Sequence, residues 1–171
     1  SGEITQRLFE NLNTRFHQSS GAHKFISLIY GEISEDARFK FLSAAQPPPV
    51  VFSKQQDRFV EIHAEGCISF PPLGVMPSLD AVDRRTSAAY AIGFKDRYQV
   101  NERWLMGAGD VMLLFTDGLA EHQRHGEAYF PQQLEQTLRQ VRHQGARQIF
   151  EAIRADVLSS ESRSDDISVV V

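Results

Sequence analysis

The sequence predicts an α+β fold: a four-layered α-β-β-α sandwich of two antiparallel sheets flanked by helices. Three observations predict it. The elements run in blocks, with one amphipathic helix, many short strands joined by polar turns, two further helices and a closing strand. The run Val111-Met112-Leu113-Leu114-Phe115 is apolar at every position, and successive strand side chains point to opposite faces, so both of its faces call for cover. Finally, 171 residues of which 42% are hydrophobic suffice for a single domain over residues 1–171 with a sizeable core.

Taken in order, Glu3 to His17 carries Ile4, Leu8, Leu12 and Phe16 on one helical stripe, with Phe9 beside them, and reads as a covering helix. Phe25 to Ile33 has strand character, Ser34-Glu35-Asp36-Ala37 is a polar turn, and Arg38 to Ala44 returns with Phe39 and Phe41 alternating with charges, so these two strands should pair antiparallel. Pro47-Pro48-Pro49 cannot donate to a ladder and reads as a stiff connection before short strands near Val50–Phe52 and Arg58–His63. Glu65 to Val75 is turn-like, and residues 80–97 lack a clean period and read as an insertion or long loop. Tyr98 to Leu105 is expected to form a hairpin with the strand from Val111 to Thr116 across Met106-Gly107-Ala108-Gly109. A helix opening at Pro131 should turn Leu134, Leu138 and Val141 inward, and a second, from Ala146 to Leu158, should bury Ile149, Phe150, Ile153 and Val157. Ile167 to Val171 reads as a last buried strand.

Composition narrows the function. A net charge of -4 gives no long-range attraction to nucleic acid or anionic lipid, so neither is expected as a partner. No apolar stretch approaches a membrane span and the first residues lack a signal core, so a cytoplasmic location is expected. The single cysteine, Cys67, cannot form an internal disulfide, which agrees with a reducing compartment. No Gly-x-Ser-x-Gly elbow, phosphate loop or His-Glu-x-x-His motif occurs, and Cys67 is followed by no phosphate-binding loop ending in arginine.

The chemically loaded stretch is Phe115-Thr116-Asp117-Gly118, where an apolar strand stops at a hydroxyl, a carboxylate and a glycine. A carboxylate at the end of a buried stripe is expensive to ionise unless a cation or strong donors meet it, which makes Asp117 a candidate metal ligand. The same residues also suit a plain strand-to-turn exit. A second candidate, Ser164-Asp165-Asp166-Ile167-Ser168, places two carboxylates just ahead of the last strand, where adjacent side chains face opposite ways and at most one can readily share a cavity with Asp117. Asp110, after Gly109, reads as a turn residue and not a ligand, whose carboxylate caps local backbone groups or faces solvent. His122 and His125 follow in a polar stretch and are expected to be exposed and without a role.

Leu12-Asn13, Phe25-Ile26-Ser27, Ala45-Gln46-Pro47-Pro48, Pro72-Leu73-Gly74, Gly109-Asp110, Phe115-Thr116-Asp117-Gly118, Glu121, Gly126-Glu127 and Asp165-Asp166-Ile167-Ser168 follow one another as in a known family. In that order and approximate spacing the chain resembles the SpoIIE/RsbU-type bacterial serine/threonine phosphatases of the metal-dependent, protein phosphatase 2C-like family. The resemblance implies the four-layered sandwich and manganese or magnesium ions held by aspartates, with Asp117 and Asp165 as metal ligands and Thr116, Gly118 and Asp166 supporting them. It implies hydrolysis of a phosphoserine or phosphothreonine protein such as an anti-sigma-factor antagonist by water activated at the metals, and a place as the output domain of a signalling or response-regulator protein, with a homodimer compatible. The sequence also departs from the pattern. The family's Gly-Gly-Asp and Asp-x-x-Gly-His-Gly elements do not occur, Ala45-Gln46 stands where Gly-His is usual, and 80–97 exceeds the usual connection. The expectation that follows is a domain truncated at its N-terminus, or else a catalytically incomplete phosphatase-like module that regulates a partner by binding.

Overall fold

The computed structural model describes residues 2–19, 25–36, 38–60, 67–77, 98–104, 107–160 and 166–171. The expected insertion at 80–97 and the candidate ligand Asp165 lie outside them. The chain is a mixed α+β structure with antiparallel sheets, divided into two compact units: residues 1–46 with 67–105, and residues 47–66 with 106–171.

The first unit is a sheet with one helix. Helix α1 (Gly2–Ser19) precedes β1 (Leu28–Ile33) and β2 (Arg38–Ala44), which pair antiparallel from Leu28↔Ala44 to Ile33↔Phe39. The other edge of β2 is shared by β5 (Ser69–Phe70), which is parallel, and β6 (Asn101–Trp104), which is antiparallel. Phe9 of α1 is fully buried with Leu42, Ala44, Phe70, Leu73 and Tyr98, so the helix covers this sheet, but it does so through Phe9 and Asn13 with Leu12 half-buried, whereas Leu8 of the expected stripe is 42% exposed. Asn13 of α1 is buried as well. It accepts the Gly74 N–H at 3.0 Å and donates to the Met76 carbonyl at 3.0 Å, tying the Pro72-Leu73-Gly74 segment to the helix.

The second unit holds the sheet that carries the site. Its order is β10 (Val169–Val170), β7 (Val111–Phe115), β3 (Val50–Ser53) and β4 (Arg58–Val60), all antiparallel. Strand β7 is central, with Val111, Leu113 and Phe115 buried and Met112 and Leu114 half-buried on the other parity. After it come the short helix α2 (Asp117–Ala120), the hairpin β8 (Gln123–Arg124) and β9 (Glu127–Ala128), an irregular turn at Tyr129–Gln133, and helices α3 (Leu134–Val141) and α4 (Ala146–Leu158). Leu134 and Leu138 of α3 and Ile149 and Ile153 of α4 pack with Phe52, Leu113, Phe115 and Leu119 into the core of this unit.

Several expectations are corrected here. Strand β6 pairs with β2 and not with β7, because Glu102 sits opposite Lys40 and meets Arg38 at 2.8 Å, while the chain leaves the first unit just after β6. The helix expected to open at Pro131 does so: Phe130 is extended, and the residues from Pro131 on are helical and run directly into α3 at Leu134. Phe150 is exposed: α4 buries a narrow stripe through Ile149 and Ile153, and the next residue lies about 100° round the helix, at its edge. The last strand is an edge strand and not a buried one, which leaves Val170 60% exposed.

Candidate functional site

Strand β7 delivers Thr116-Asp117-Gly118 to the surface through a cap. Thr116 keeps extended backbone angles and ends the strand, and the Leu119 N–H donates to its carbonyl at 3.0 Å, so the chain turns at once into α2. Asp117 is therefore the first residue of a helical turn. It does not continue the stripe of Phe115, and its carboxylate is exposed, not buried. Acidic residues are favoured in a first helical turn, and Asp117 Oδ1 accepts the N–H of Gly118 at 3.1 Å.

The closing segment locks onto this turn. The Thr116 N–H donates to the Ser168 carbonyl at 3.1 Å, and the Thr116 hydroxyl accepts the Ser168 N–H at 3.0 Å and donates to the Asp166 carbonyl at 3.3 Å. Gly118 completes the contact by having no side chain: a Cβ there would stand 2.5 Å from the Asp166 carbonyl oxygen. The structure thus brings Thr116, Gly118 and Asp166 together beside Asp117. Asp165, the residue before Asp166, is outside the described residues, and so is the expected meeting of its carboxylate with that of Asp117.

A manganese or magnesium ion prefers carboxylate and carbonyl oxygen in a shell of about six ligands. Asp117 fits as one such donor, exposed and held at a rigid strand end. Among the described residues no group of three or more His, Cys, Asp or Glu side chains could hold a metal ion, so they do not complete a donor set. The turn at Asp110 forms as expected, with its N–H donating to the Gly107 carbonyl at 3.2 Å and Gly109 at a φ of +89°, but its carboxylate caps no local group: Oδ1 accepts the N–H of the distant Lys54 at 2.8 Å.

His122 is the residue that sequence reasoning misjudged. It is 1% exposed and lies edge-on to the Tyr129 ring, with centroids 5.7 Å apart, and burial pushes its pKa down. Neither ring nitrogen has a hydrogen-bond partner among the described residues. The available signal was its place three residues after Leu119 and seven before Tyr129, both fully buried. His125, in contrast, is exposed at a left-handed turn position, as expected of a polar loop.

No described helix is long and apolar enough to cross a membrane. No curated protein sequence matches the chain. Among solved structures it is similar to the phosphatase domain of the cell fate determinant SpoIIE from Bacillus subtilis, with 16% identity, a TM-score of 0.55 and coverage of 99% of this chain and 73% of that one. It is also similar to the RsbU and RsbW domains of a Mycobacterium tuberculosis protein, at 20% identity and TM-score 0.56 over 91% of this chain and 38% of that one. The SiaA PP2C domain of Pseudomonas aeruginosa matches at 14% identity and TM-score 0.57, over 98% and 65%. The chain therefore spans under two thirds of the latter two, and at these identities the likeness is one of fold: that of PP2C-type domains. The model of Stage II sporulation protein E (SpoIIE) matches residues 1–171 from end to end, and the chain belongs to that family.

Proposed function

We propose that the protein is a metal-dependent protein serine/threonine phosphatase of the SpoIIE/RsbU type, a single domain acting as the output of a bacterial signalling or response-regulator protein. Its substrate is a phosphoserine or phosphothreonine protein of the anti-sigma-factor-antagonist class, and its metals are manganese or magnesium. The observation that carries this reading is the lock between Thr116 and the Asp166–Ser168 segment, which holds a second acidic stretch of chain against the Asp117 turn. Asp117 and Asp165 are the proposed metal ligands, with Thr116, Gly118 and Asp166 holding them in place. Bound divalent ions would supply Lewis-acid activation of water and neutralise the charge that develops on the phosphoryl group. The chain's own part is to present oxygen donors on a rigid turn: Thr116 fixes the closing segment through its hydroxyl, and Gly118 leaves room for the Asp166 backbone.

A second reading, a phosphatase-like module that acts by binding a partner, is favoured by Ala45-Gln46, which stands where the family usually has Gly-His. A manganese titration with phosphate release from a phosphoserine protein separates the two readings. Asp117→Asn should lower the rate and manganese affinity by more than about 10–100-fold, the range found for residues that merely support a metal ligand. It should leave the circular dichroism spectrum unchanged, because the amide oxygen can still accept the Gly118 N–H. Equal activity in both proteins refutes the ligand role of Asp117. Inactivity in both, with partner binding retained, establishes the second reading.

A further inference from the structure

Helix α4 and the closing strand border an apolar groove of about 340 Å³, lined by Phe150, Ile153, Val157 and Leu158 from the helix and by Ile167 and Val169 from the strand. Phe150, Arg154 and Leu158 follow at i, i+4 spacing and form one exposed stripe of the helix beside it. Strand β10 is the last of its sheet and, among the described residues, pairs with β7 alone. The Ser168 carbonyl and N–H both turn towards Thr116. Successive residues of an antiparallel ladder alternate, so the main-chain groups of Ile167 and Val169 turn the other way, to the outer edge. Their side chains meanwhile pack on the core of the unit.

A sheet edge beside an apolar groove suits an extended chain: its main chain satisfies the edge, and its alternate side chains fall on one face, here into the groove. The groove is continuous with the turn that carries Asp117. Asp166 lies on its rim and accepts the Thr116 hydroxyl, and Ile167 Cγ1 stands 3.2 Å from where a Gly118 Cβ would be. The ion pair of Arg154 with Glu151 at 3.2 Å is exposed and weak, which leaves the guanidinium for an acidic side chain. We propose that the groove docks an extended segment of the phosphoprotein substrate, which adds a strand to β10, inserts alternate apolar side chains against α4 and offers a carboxylate to Arg154. At about 3.3 Å per residue, the reach from Asp166 to Val169 puts that segment roughly three residues from the phosphorylated one. This inference rests on the phosphatase reading above and extends it to substrate recognition.

The probes are two fluorescent phosphoserine peptides, one carrying Val-Glu-Val three residues from the phosphoserine on both sides, the other Ser-Glu-Ser in the same places. Fluorescence anisotropy with the full chain should show the valine peptide binding about tenfold more tightly. Leu158→Asp alters an exposed residue away from the Asp117 turn and should erase that preference. N-methylation along Val-Glu-Val should erase it too, by removing the main-chain donors that strand addition needs. With manganese, Leu158→Asp should raise KM for the valine peptide about tenfold and leave hydrolysis of p-nitrophenyl phosphate, which is too small to reach the groove, unchanged. No phosphate release from any substrate, with the binding preference intact, counts against the phosphatase reading and supports the docking site. Equal binding of the two peptides, as a groove filled by a second copy or by another segment of the protein would give, overturns the proposal. So does a preference that survives Leu158→Asp or N-methylation.

Discussion

At Gly118 a single hydrogen atom decides whether two segments can meet. The atom that a Cβ would strike belongs to the Asp166 backbone, which cannot rotate away as a flexible side chain would. Gly118→Ala should therefore cost about 1–3 kcal/mol, the range for overpacking a tight site, and should displace the Asp117 turn from the closing segment. Urea unfolding measures the first effect and manganese affinity the second; a variant as stable as the parent would show that the contact is looser than it looks. His122 provides a second residue-scale test. Burial lowers its pKa below the ordinary 6.5, so the unfolded chain takes up a proton at a higher pH than the folded one. Its contribution to stability is thus fully present above about pH 6.5 and is lost as the pH falls from there towards the folded-state value. Tyr129 lies edge-on to the ring, and Arg154 and Asp166 are the charged residues of the cavity that His122 also borders. As the pH is lowered across that range, the unfolding free energy of the protein should fall relative to that of His122→Phe, whereas parallel profiles would show that His122 does not titrate on unfolding.

At the scale of elements, one carboxylate joins α3, α4 and the turns before them. Asp156 of α4 accepts the Tyr129 hydroxyl at 3.2 Å and the Thr137 hydroxyl on Oδ2, while its Oδ1 meets Arg124 Nη1 at 3.1 Å. Tyr129 is fully buried, and burial holds its phenol well above the ordinary tyrosine pKa, so it stays a donor at any physiological pH. Asp156→Ala leaves the buried Tyr129 hydroxyl without its acceptor, while Thr137 can still donate to the Gln133 carbonyl at 3.3 Å, and should cost about 1–3 kcal/mol, read as a lowered urea midpoint. Asp156→Asn keeps an acceptor oxygen and should cost less. By the same reasoning, the ion pair of Arg139 with Asp57 at 3.4 Å, both about two-fifths exposed, contributes at most about 1 kcal/mol, because water screens it. The α3–α4 pair therefore depends more on the Asp156 network and on Leu134, Leu138, Ile149 and Ile153 than on surface charge.

For the whole molecule, stability is divided between two cores that share no residue, one around Phe9, Leu42 and Tyr98 and one around Leu113, Phe115 and Leu138. Leu42→Ala and Leu138→Ala each delete a fully buried side chain and should each cost about 2–5 kcal/mol. In the double variant the two losses should add to within about 0.5 kcal/mol, as independent sites do. Denaturant unfolding of the four proteins measures this, and a large departure from additivity would show that the cores are energetically coupled.

The sequence by itself determined what depends on near neighbours. The presence of α1, the β1–β2 hairpin around its polar turn, the apolar run of β7 and the turn at Gly109-Asp110 all follow from periodicity and turn chemistry within a few residues. It also placed the family features Thr116-Asp117-Gly118 and Asp165-Asp166 in order along the chain. Tertiary structure decided what depends on distant partners. The short link after β6 suggested a hairpin with β7, but strand pairing is settled by cross-strand neighbours, and Glu102 finds its opposite charges on β2. Val170 and Phe150 read as core because they are apolar, yet a place at a sheet edge and at the margin of a helical stripe leaves them in water. His122 reads as solvated because its sequence neighbours are polar, yet Tyr129 and the closing segment bury it. The lock of Thr116 and Gly118 onto Asp166 spans about fifty residues of chain, and no local pattern encodes a contact made only when two distant segments are folded against each other.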